Sequence, residues 1–225
     1  MAVLSETATR RAAGRRRLSR GERERQILDR AYELFAQRGY RAVTMDDVAE
    51  RVGVTKPLLY AYLGNKERLY IACMEPAGDA MLATIGRAVR EATDPAGALR
   101  EGLRAFFTFV EADRDAWRVL FDETLPAGGA IAARVGEYRE RLLSLVAESQ
   151  LALLGAERRA RAAVETEARA TALLGASEAL ARWWLRTGAL SASATAELLI
   201  ATVEPGLRSL TKRTPGPKRR AKASR

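Results

Sequence analysis

Residues 41–70 read RAVTMDDVAERVGVTKPLLYAYLGNKERLY and contain two short helical patterns joined by a tight turn. Thr44 and Asp47 have the spacing of a capping box, so we expect a helix to begin directly after Thr44. Gly53 is expected to end that helix, because only glycine enters the left-handed conformation without a steric penalty. The spacing of a small residue, a glycine and an apolar residue is that of a helix-turn-helix, here at Ala49, Gly53 and Leu59.

The second helix of this motif has too few inward-facing apolar residues to be an ordinary core helix. We expect Thr55 to cap it and Gly64 to end it after two turns. At about 100° per residue, only Leu59 and Leu63 need to point inward. The outward face then carries Pro57, Leu58, Tyr60 and Ala61. A plain helical hairpin leaves this face unexplained, whereas a short helix with such outward residues fits the major groove of DNA.

Residues 19–70 resemble the DNA-binding domain of the TetR family of bacterial transcription regulators. The matching segments are ILDRAYELFAQRGY, TMDDVA and VTKPLLYAYLGNKERL. The chain departs from the family pattern at Leu63, where Phe or Val is usual, and at Pro57, where many members have Gly. The resemblance implies base contacts from Lys56, Pro57 and Tyr60 and phosphate contacts from Thr44, Tyr62 and Lys66. The whole implied DNA-binding set is Thr44, Thr55, Lys56, Pro57, Leu58, Tyr60, Tyr62 and Lys66.

Composition narrows the possible functions. The 225 residues contain no histidine and one cysteine, which excludes Ser-His-Asp catalysis, histidine-containing metal sites and an internal disulfide. We therefore expect no catalytic residues, no metal site and no cofactor, and a cytoplasmic location. The net charge of +10 is divided unevenly, with +6 in residues 1–70, −3 in residues 71–210 and +7 in residues 211–225. A basic N-terminal domain suits binding to phosphates.

The hydrophobic periodicity predicts an all-α chain of about nine helices and no strand. We expect a disordered basic arm at 1–18, a three-helix DNA-binding domain at 19–66, a helical effector-binding and dimerisation domain at 67–210, and a disordered basic tail at 211–225. Pro76 and Gly78 predict a kink or break in the helix that begins after Asn65. No apolar run is long enough to span a membrane.

The stretch ARATALLGASEALARWWL, residues 168–185, has apolar or small residues on nearly every face. Such a helix is buried on more than one side, either inside one chain or in a dimer. In TetR-like proteins the last two long helices form the dimer. The resemblance therefore implies a homodimer through the predicted eighth and ninth helices, at about 157–187 and 191–210.

An aromatic cluster in the fifth and sixth predicted helices has two interpretations. It either fills an ordinary core or lines a cavity for an apolar effector. The surrounding sequence resembles family members that respond to long-chain acyl-CoA or other lipids, which implies a fatty acid or acyl-CoA of 16–20 carbons. The candidate ligand-binding residues are Phe106, Phe109, Val110, Trp117, Leu120, Phe121, Tyr138, Leu142 and Trp183.

These observations together predict a ligand-responsive regulator that binds a palindromic DNA operator as a homodimer, with repression as its expected effect. Two other classes stay open on the sequence alone. A nonspecific nucleoid-type DNA-binding protein would rely on the basic ends. An enzyme with an appended DNA-binding domain would need catalytic motifs, which we do not find.

Overall fold

The computed structural model describes residues 19–151 and 156–211, and every regular element in these ranges is an α-helix. The helices of this described part are α1 (Arg20–Ala42), α2 (Met45–Val52), α3 (Lys56–Leu63), α4 (Lys66–Glu91), α5 (Pro95–Ala112), α6 (Arg114–Leu120), α7 (Gly129–Leu151), α8 (Ala156–Thr187) and α9 (Ala192–Thr211). The prediction of an all-α fold with about nine helices is confirmed. The predicted arm at 1–18, and the predicted tail beyond Thr211, lie outside the described residues.

Side-chain caps begin α1, α2 and α4. The Ser19 hydroxyl accepts a hydrogen bond from the Glu22 amide at 3.2 Å, and the Glu22 carboxylate accepts one from the Ser19 amide at 2.8 Å. Thr44 and Asp47 form the same reciprocal box at the start of α2. The side-chain oxygen of Asn65 caps α4. Each box satisfies amide groups that the first turn of a helix leaves without partners.

The turn of the helix-turn-helix forms as predicted, but the cap that follows it differs. Gly53 has φ 74° and ψ 40°, the left-handed conformation, and its amide donates to the Ala49 carbonyl at 3.0 Å. Thr55 occupies the N-cap position of α3, as predicted, but its side chain makes no cap hydrogen bond. A capping hydroxyl bonds to the second or third amide of the helix, and Pro57 removes the second.

A kink or break was predicted at Pro76–Gly78; helix α4 runs through Pro76 as one continuous helix, so no break occurs. A proline inside a helix costs about 3 kcal/mol, since it removes one amide and crowds the preceding turn. Packing offsets that cost here, because α4 contacts α1, α5, α6 and α7 along its length. Ala77 and Gly78, which directly follow the proline, are both buried.

We call α1–α3 the head and α5–α9 the body; α4 joins them. One continuous set of buried apolar residues extends from Ile27 in the head to Ile200 in α9. In the body, α5 packs on α4 and α9, and α7 packs on α4 and α8. Among the described helices, none has the length and apolar character needed to cross a membrane.

Hydrogen bonds join head and body at a second place besides α4. The Asp122 carboxylate, in the loop after α6, accepts from the Tyr40 amide at 2.5 Å. Thr124 accepts from the next amide of the head at 3.2 Å. The Glu67 carboxylate, in the first turn of α4, accepts from the Ala130 amide at 2.9 Å and so caps α7. The loop after α6 is therefore bonded to the backbone of the head, and the start of α7 is bonded to the first turn of α4.

Candidate functional site

One side of helix α3 packs into the head, and the other side is exposed to solvent. Leu59 is 0% exposed and is its only buried residue. Leu58 is 39% exposed and Tyr60 is 44% exposed, and both are among the few large apolar side chains that the described surface displays. Lys56 and Pro57 are exposed beside them. This arrangement presents a short apolar and basic surface, as the helix-turn-helix prediction requires.

Thr44 and Thr55, predicted to meet DNA, lie exposed at the starts of α2 and α3. The Thr44 hydroxyl lies 2.5 Å from a carboxylate oxygen of Asp47, to which it donates. These bonds lower the pKa of Asp47. Thr44 must therefore exchange this partner to donate to a phosphate, whereas the Thr55 hydroxyl makes no cap bond.

The two predicted lysines differ in their surroundings. Lys56 forms an ion pair with Asp46 at 2.9 Å, and this hydrogen bond raises the pKa of Lys56. Both side chains are exposed, so the pair contributes little to stability and can be exchanged for a phosphate. The ammonium nitrogen of Lys66 lies 4.2 Å from the ring centroid of Tyr40, and partial burial lowers the pKa of Lys66.

Arg20 is a candidate DNA contact that sequence reasoning missed. Its guanidinium carbon lies 5.6 Å from the ring centroid of Tyr62, which is half-buried on α3. The pair brings a cation from the first turn of α1 to the predicted phosphate-binding tyrosine. No local sequence signal connects two residues so far apart in the chain. The roles of all these residues toward DNA stay predictions.

The body contains an apolar cavity of about 50 Å³ between α4, α5, α7 and α8. Of the nine predicted ligand-binding residues, only Phe106 and Leu142 line it. Its other walls, which sequence reasoning missed, include Ile85, Gly102, Leu145, Ser149, Leu173 and Ser177. The hydroxyls of Ser149 and Ser177 donate to carbonyls one turn earlier in their own helices, each at 2.8 Å. The lining is otherwise apolar, which suits a hydrocarbon ligand.

The remaining predicted ligand-binding residues are not on the cavity wall. Trp117 and Phe121 stack with ring centroids 4.1 Å apart, and Trp117 meets Phe106 edge to face. Phe109 lines an open groove between α1 and α4 instead. Trp183 is half-buried on α8. Val110 and Leu120 are buried core residues. The aromatic cluster thus fills the core for the most part and reaches the cavity through Phe106.

Tyr138, the last predicted ligand residue, joins α7 to α4 beside the cavity. A Cβ added to Gly78 would lie 2.5 Å from the Tyr138 ring, so the ring rests directly on the backbone of α4. The Tyr138 hydroxyl donates toward the Glu75 carbonyl and an Asp79 oxygen, both at 3.1 Å. Burial and the bond to Asp79 raise the pKa of Tyr138 to about 12, so this hydroxyl keeps its proton at neutral pH.

Comparison with known proteins places both parts of the chain. Residues 27–73 match the family model described as bacterial regulatory proteins, tetR family. Residues 95–206 match the model described as tetracyclin repressor-like, C-terminal domain.

The HTH-type transcriptional activator FasR of Mycolicibacterium smegmatis is 38% identical over 143 residues, or 60% of this chain and 65% of that relative. The HTH-type transcriptional regulator HbdR of Aromatoleum is 29% identical over 120 residues, 52% of each chain. The chain thus spans less than two thirds of these curated relatives.

Solved structures extend the match to nearly the whole described chain. A TetR-like transcriptional regulator from Rhodococcus sp. RHA1 is 32% identical, with a TM-score of 0.69 over 85% of this chain and 99% of that one. AibR, solved with isovaleryl coenzyme A and operator DNA, shares the fold at 22% identity, with a TM-score of 0.63 over 80% of this chain and 97% of its own. With the helix-turn-helix geometry, these matches show that the chain belongs to the TetR family of bacterial transcription regulators.

Proposed function

We propose that the chain binds a palindromic operator as a homodimer and that a small apolar effector changes its affinity for that DNA. Residues 19–66, which are the head and the start of α4, read the operator; residues 67–210 bind the effector and form the dimer. The observation that carries this proposal is the outward face of α3, where Leu58 and Tyr60 are exposed although both are largely apolar. Because its partner is chromosomal DNA, we place the protein in the cytoplasm.

The proposed dimer rests on two exposed stripes, one on α8 and one on α9. Both stripes have the spacing of a single helix face, at i, i+4, i+7 and i+11. The members on α8 are Ala168, Ala172, Gly175 and Ala179, and those on α9 are Ala194, Leu198, Ala201 and Pro205. A Cβ added to Gly175 would have no neighbour within 4 Å, and Leu198 is 50% exposed. Two adjacent helices with small, apolar outer faces favour a four-helix interface with a second copy.

Replacing Gly175 by arginine should convert the dimer to monomers, because a long cation would stand in the centre of the proposed interface. Operator affinity should fall with it, since each half-site then binds one head independently. Sedimentation or light scattering measures the mass. Ala133→Arg is the matched control, a small exposed residue on α7 outside both stripes. A Gly175→Arg protein with the mass of a dimer would contradict this interface.

The cavity supports the effector part of the proposal. AibR was solved with isovaleryl coenzyme A, and another protein of the same fold, from Bacillus halodurans, is a fatty acid degradation regulator. A cavity of about 50 Å³ is smaller than the 150 Å³ or so that holds benzene. The proposed 16–20-carbon chain therefore enters only if the helices around the cavity separate. Because α4 also enters the head, that separation would favour one spacing of the two heads over another.

We keep repression as the proposed effect, through an operator that overlaps a promoter. Whether binding represses or activates transcription depends on where the operator lies relative to the promoter. FasR is a transcriptional activator, whereas IcaR of Staphylococcus epidermidis, 39% identical over 49 residues, is a negative transcriptional regulator. Genomic footprinting of the purified protein tests the proposal, because it reports the operator and its distance from the promoter together. Protection of a small number of two-fold sites is expected. Uniform coverage without preferred sites would instead favour a nonspecific nucleoid-type protein.

Two substitutions on the head separate base reading from phosphate binding. Tyr60→Ala should lose about 1–3 kcal/mol more binding free energy with the operator than with a random duplex, because this exposed ring faces the bases in the proposed complex. Lys66→Ala should weaken both duplexes equally and reduce the salt dependence by about one counterion. Titrations of the two duplexes at several salt concentrations measure both effects. Wild-type operator affinity in both variants would show that the head is wrongly assigned.

A further inference from the structure

The apolar cavity meets an open surface groove at a single side chain, Leu145. The groove runs between α4 and α7, and its walls include Gly86 and Arg90 on α4 and Arg141 and Ser144 on α7. Leu145 lines both the groove and the cavity. Leu145 is therefore the side chain that the cavity and the groove share, at the seam between α4 and α7.

Arg90 stands at this seam. Gly86 has no side chain, and a Cβ added to it would lie 3.1 Å from an Arg90 guanidinium nitrogen and 4.0 Å from Cδ1 of Leu145. The guanidinium thus lies across Gly86, next to the side chain that closes the cavity. Arg90 is exposed and forms no ion pair with any side chain that the structure describes.

The opposite wall of the groove supplies a second cation. The guanidinium of Arg141 lies 5.9 Å from the Tyr138 ring centroid and 3.7 Å from an Asp79 oxygen. Asp79 also accepts the Tyr138 hydroxyl, so this carboxylate is already engaged. Glu148 is the other carboxylate of the groove. Two arginines flank the mouth of the cavity, and Arg90 is the one without a partner among the described side chains.

We propose that Arg90 and Arg141 hold the anionic head of an amphiphilic effector whose hydrocarbon end passes Leu145 into the cavity. The inference rests on the effector part of the proposed function and adds the residues that hold the charged head of the ligand. Apart from two serines, the cavity wall is apolar and cannot compensate a buried charge, whereas the groove keeps a carboxylate or phosphate hydrated and beside arginine. Free fatty acids and acyl-CoA share this chemistry.

Arg90 also has a simpler role to be distinguished from ligand binding. It lies in the last turn of α4, where a cation interacts favourably with the helix dipole. That role predicts a small loss of stability on substitution and no dependence on the charge of a ligand. The proposed role predicts the opposite pattern, namely unchanged stability and a loss of affinity that appears only with charged ligands.

The test compares three ligands with the same 16-carbon chain: palmitate, palmitoyl-CoA and uncharged hexadecanol, each below the concentration at which it aggregates. We expect Arg90→Gln and Arg141→Gln to reduce the affinity for one or both anionic ligands about tenfold and to leave the affinity for hexadecanol unchanged. Glu148→Gln should strengthen anionic binding. Arg87→Gln is the matched control, because Arg87 is an exposed arginine of the same helix outside the groove lining.

The outcomes separate this inference from the proposed function. If these variants lose affinity only for palmitoyl-CoA, the two arginines bind phosphate. If they lose affinity only for palmitate, the two arginines bind the carboxylate. Equal losses for hexadecanol, or equal behaviour of Arg90→Gln and Arg87→Gln, would overturn the inference while effector binding stands. If none of the three ligands binds the wild-type protein, the inference and the effector proposal both fail. Operator binding by that protein would still support the DNA-binding part.

Discussion

Leu59→Ala should unfold the DNA-reading surface and abolish binding to every duplex. Leu59 is the only buried residue of α3 and is 0% exposed, and α3 has eight residues. A helix this short is unstable in water without tertiary packing. Truncating a fully buried leucine to alanine costs about 2–5 kcal/mol, a large part of the 5–15 kcal/mol or so that stabilises a typical domain.

Hydrogen exchange and denaturant unfolding measure this prediction. Amides of α2 and α3 should lose protection in Leu59→Ala, while those of α9 keep it, because α9 packs on α5 and α8. Leu58→Ala is the control, since it removes the same atoms from the neighbouring, exposed position. It should change stability by no more than about 0.5 kcal/mol. Equal stability of the two variants, with equal protection of the α3 amides, would contradict the packing of α3.

The head was largely predictable because its signals are local. Capping boxes such as Ser19–Glu22 and Thr44–Asp47 act within one helical turn, and Gly53 acts through its own dihedral angles. The exception at Thr55 is also local in origin, since Pro57 removes an amide that the cap would use. The unbroken α4 shows the limit of such signals. Tertiary packing on four neighbouring helices overrides the local cost of Pro76.

The cavity was poorly predictable because periodicity shows which residues are buried and not what they face. Trp117 and Phe106 both belong to apolar faces, yet only Phe106 reaches the cavity. The walls bring together side chains from four helices far apart in sequence, such as Ile85 and Leu173. Arg90 at the mouth gives no sequence signal either, since a basic residue near a helix end is ordinary. Cavities arise from how helices pack together, which a single sequence does not display.

Gly78→Ala should destabilise the protein by about 1–3 kcal/mol, although the same change usually stabilises a helix. The added Cβ would lie 2.5, 2.6 and 2.8 Å from three ring atoms of Tyr138. The ring cannot move away freely, because its hydroxyl is bonded to Glu75 and Asp79. Gly136→Ala on α7 is the control, since a Cβ there has no neighbour within 4 Å. Its expected effect is a gain of up to about 1 kcal/mol.

Truncation of the opposing ring shows whether the contact causes this loss. If Tyr138 is the obstacle, Gly78→Ala should cost less when it is combined with Tyr138→Ala than when it is made alone, and the double-mutant cycle measures the difference. Additive losses of stability would contradict the contact.

The Gly78→Ala variant also tests how an effector acts. The Cβ of Gly78→Ala would push the Tyr138 ring, and with it α7, away from α4, as the proposed effector would on entering the cavity. We therefore expect it to change operator affinity in the direction that the effector does, without any ligand present.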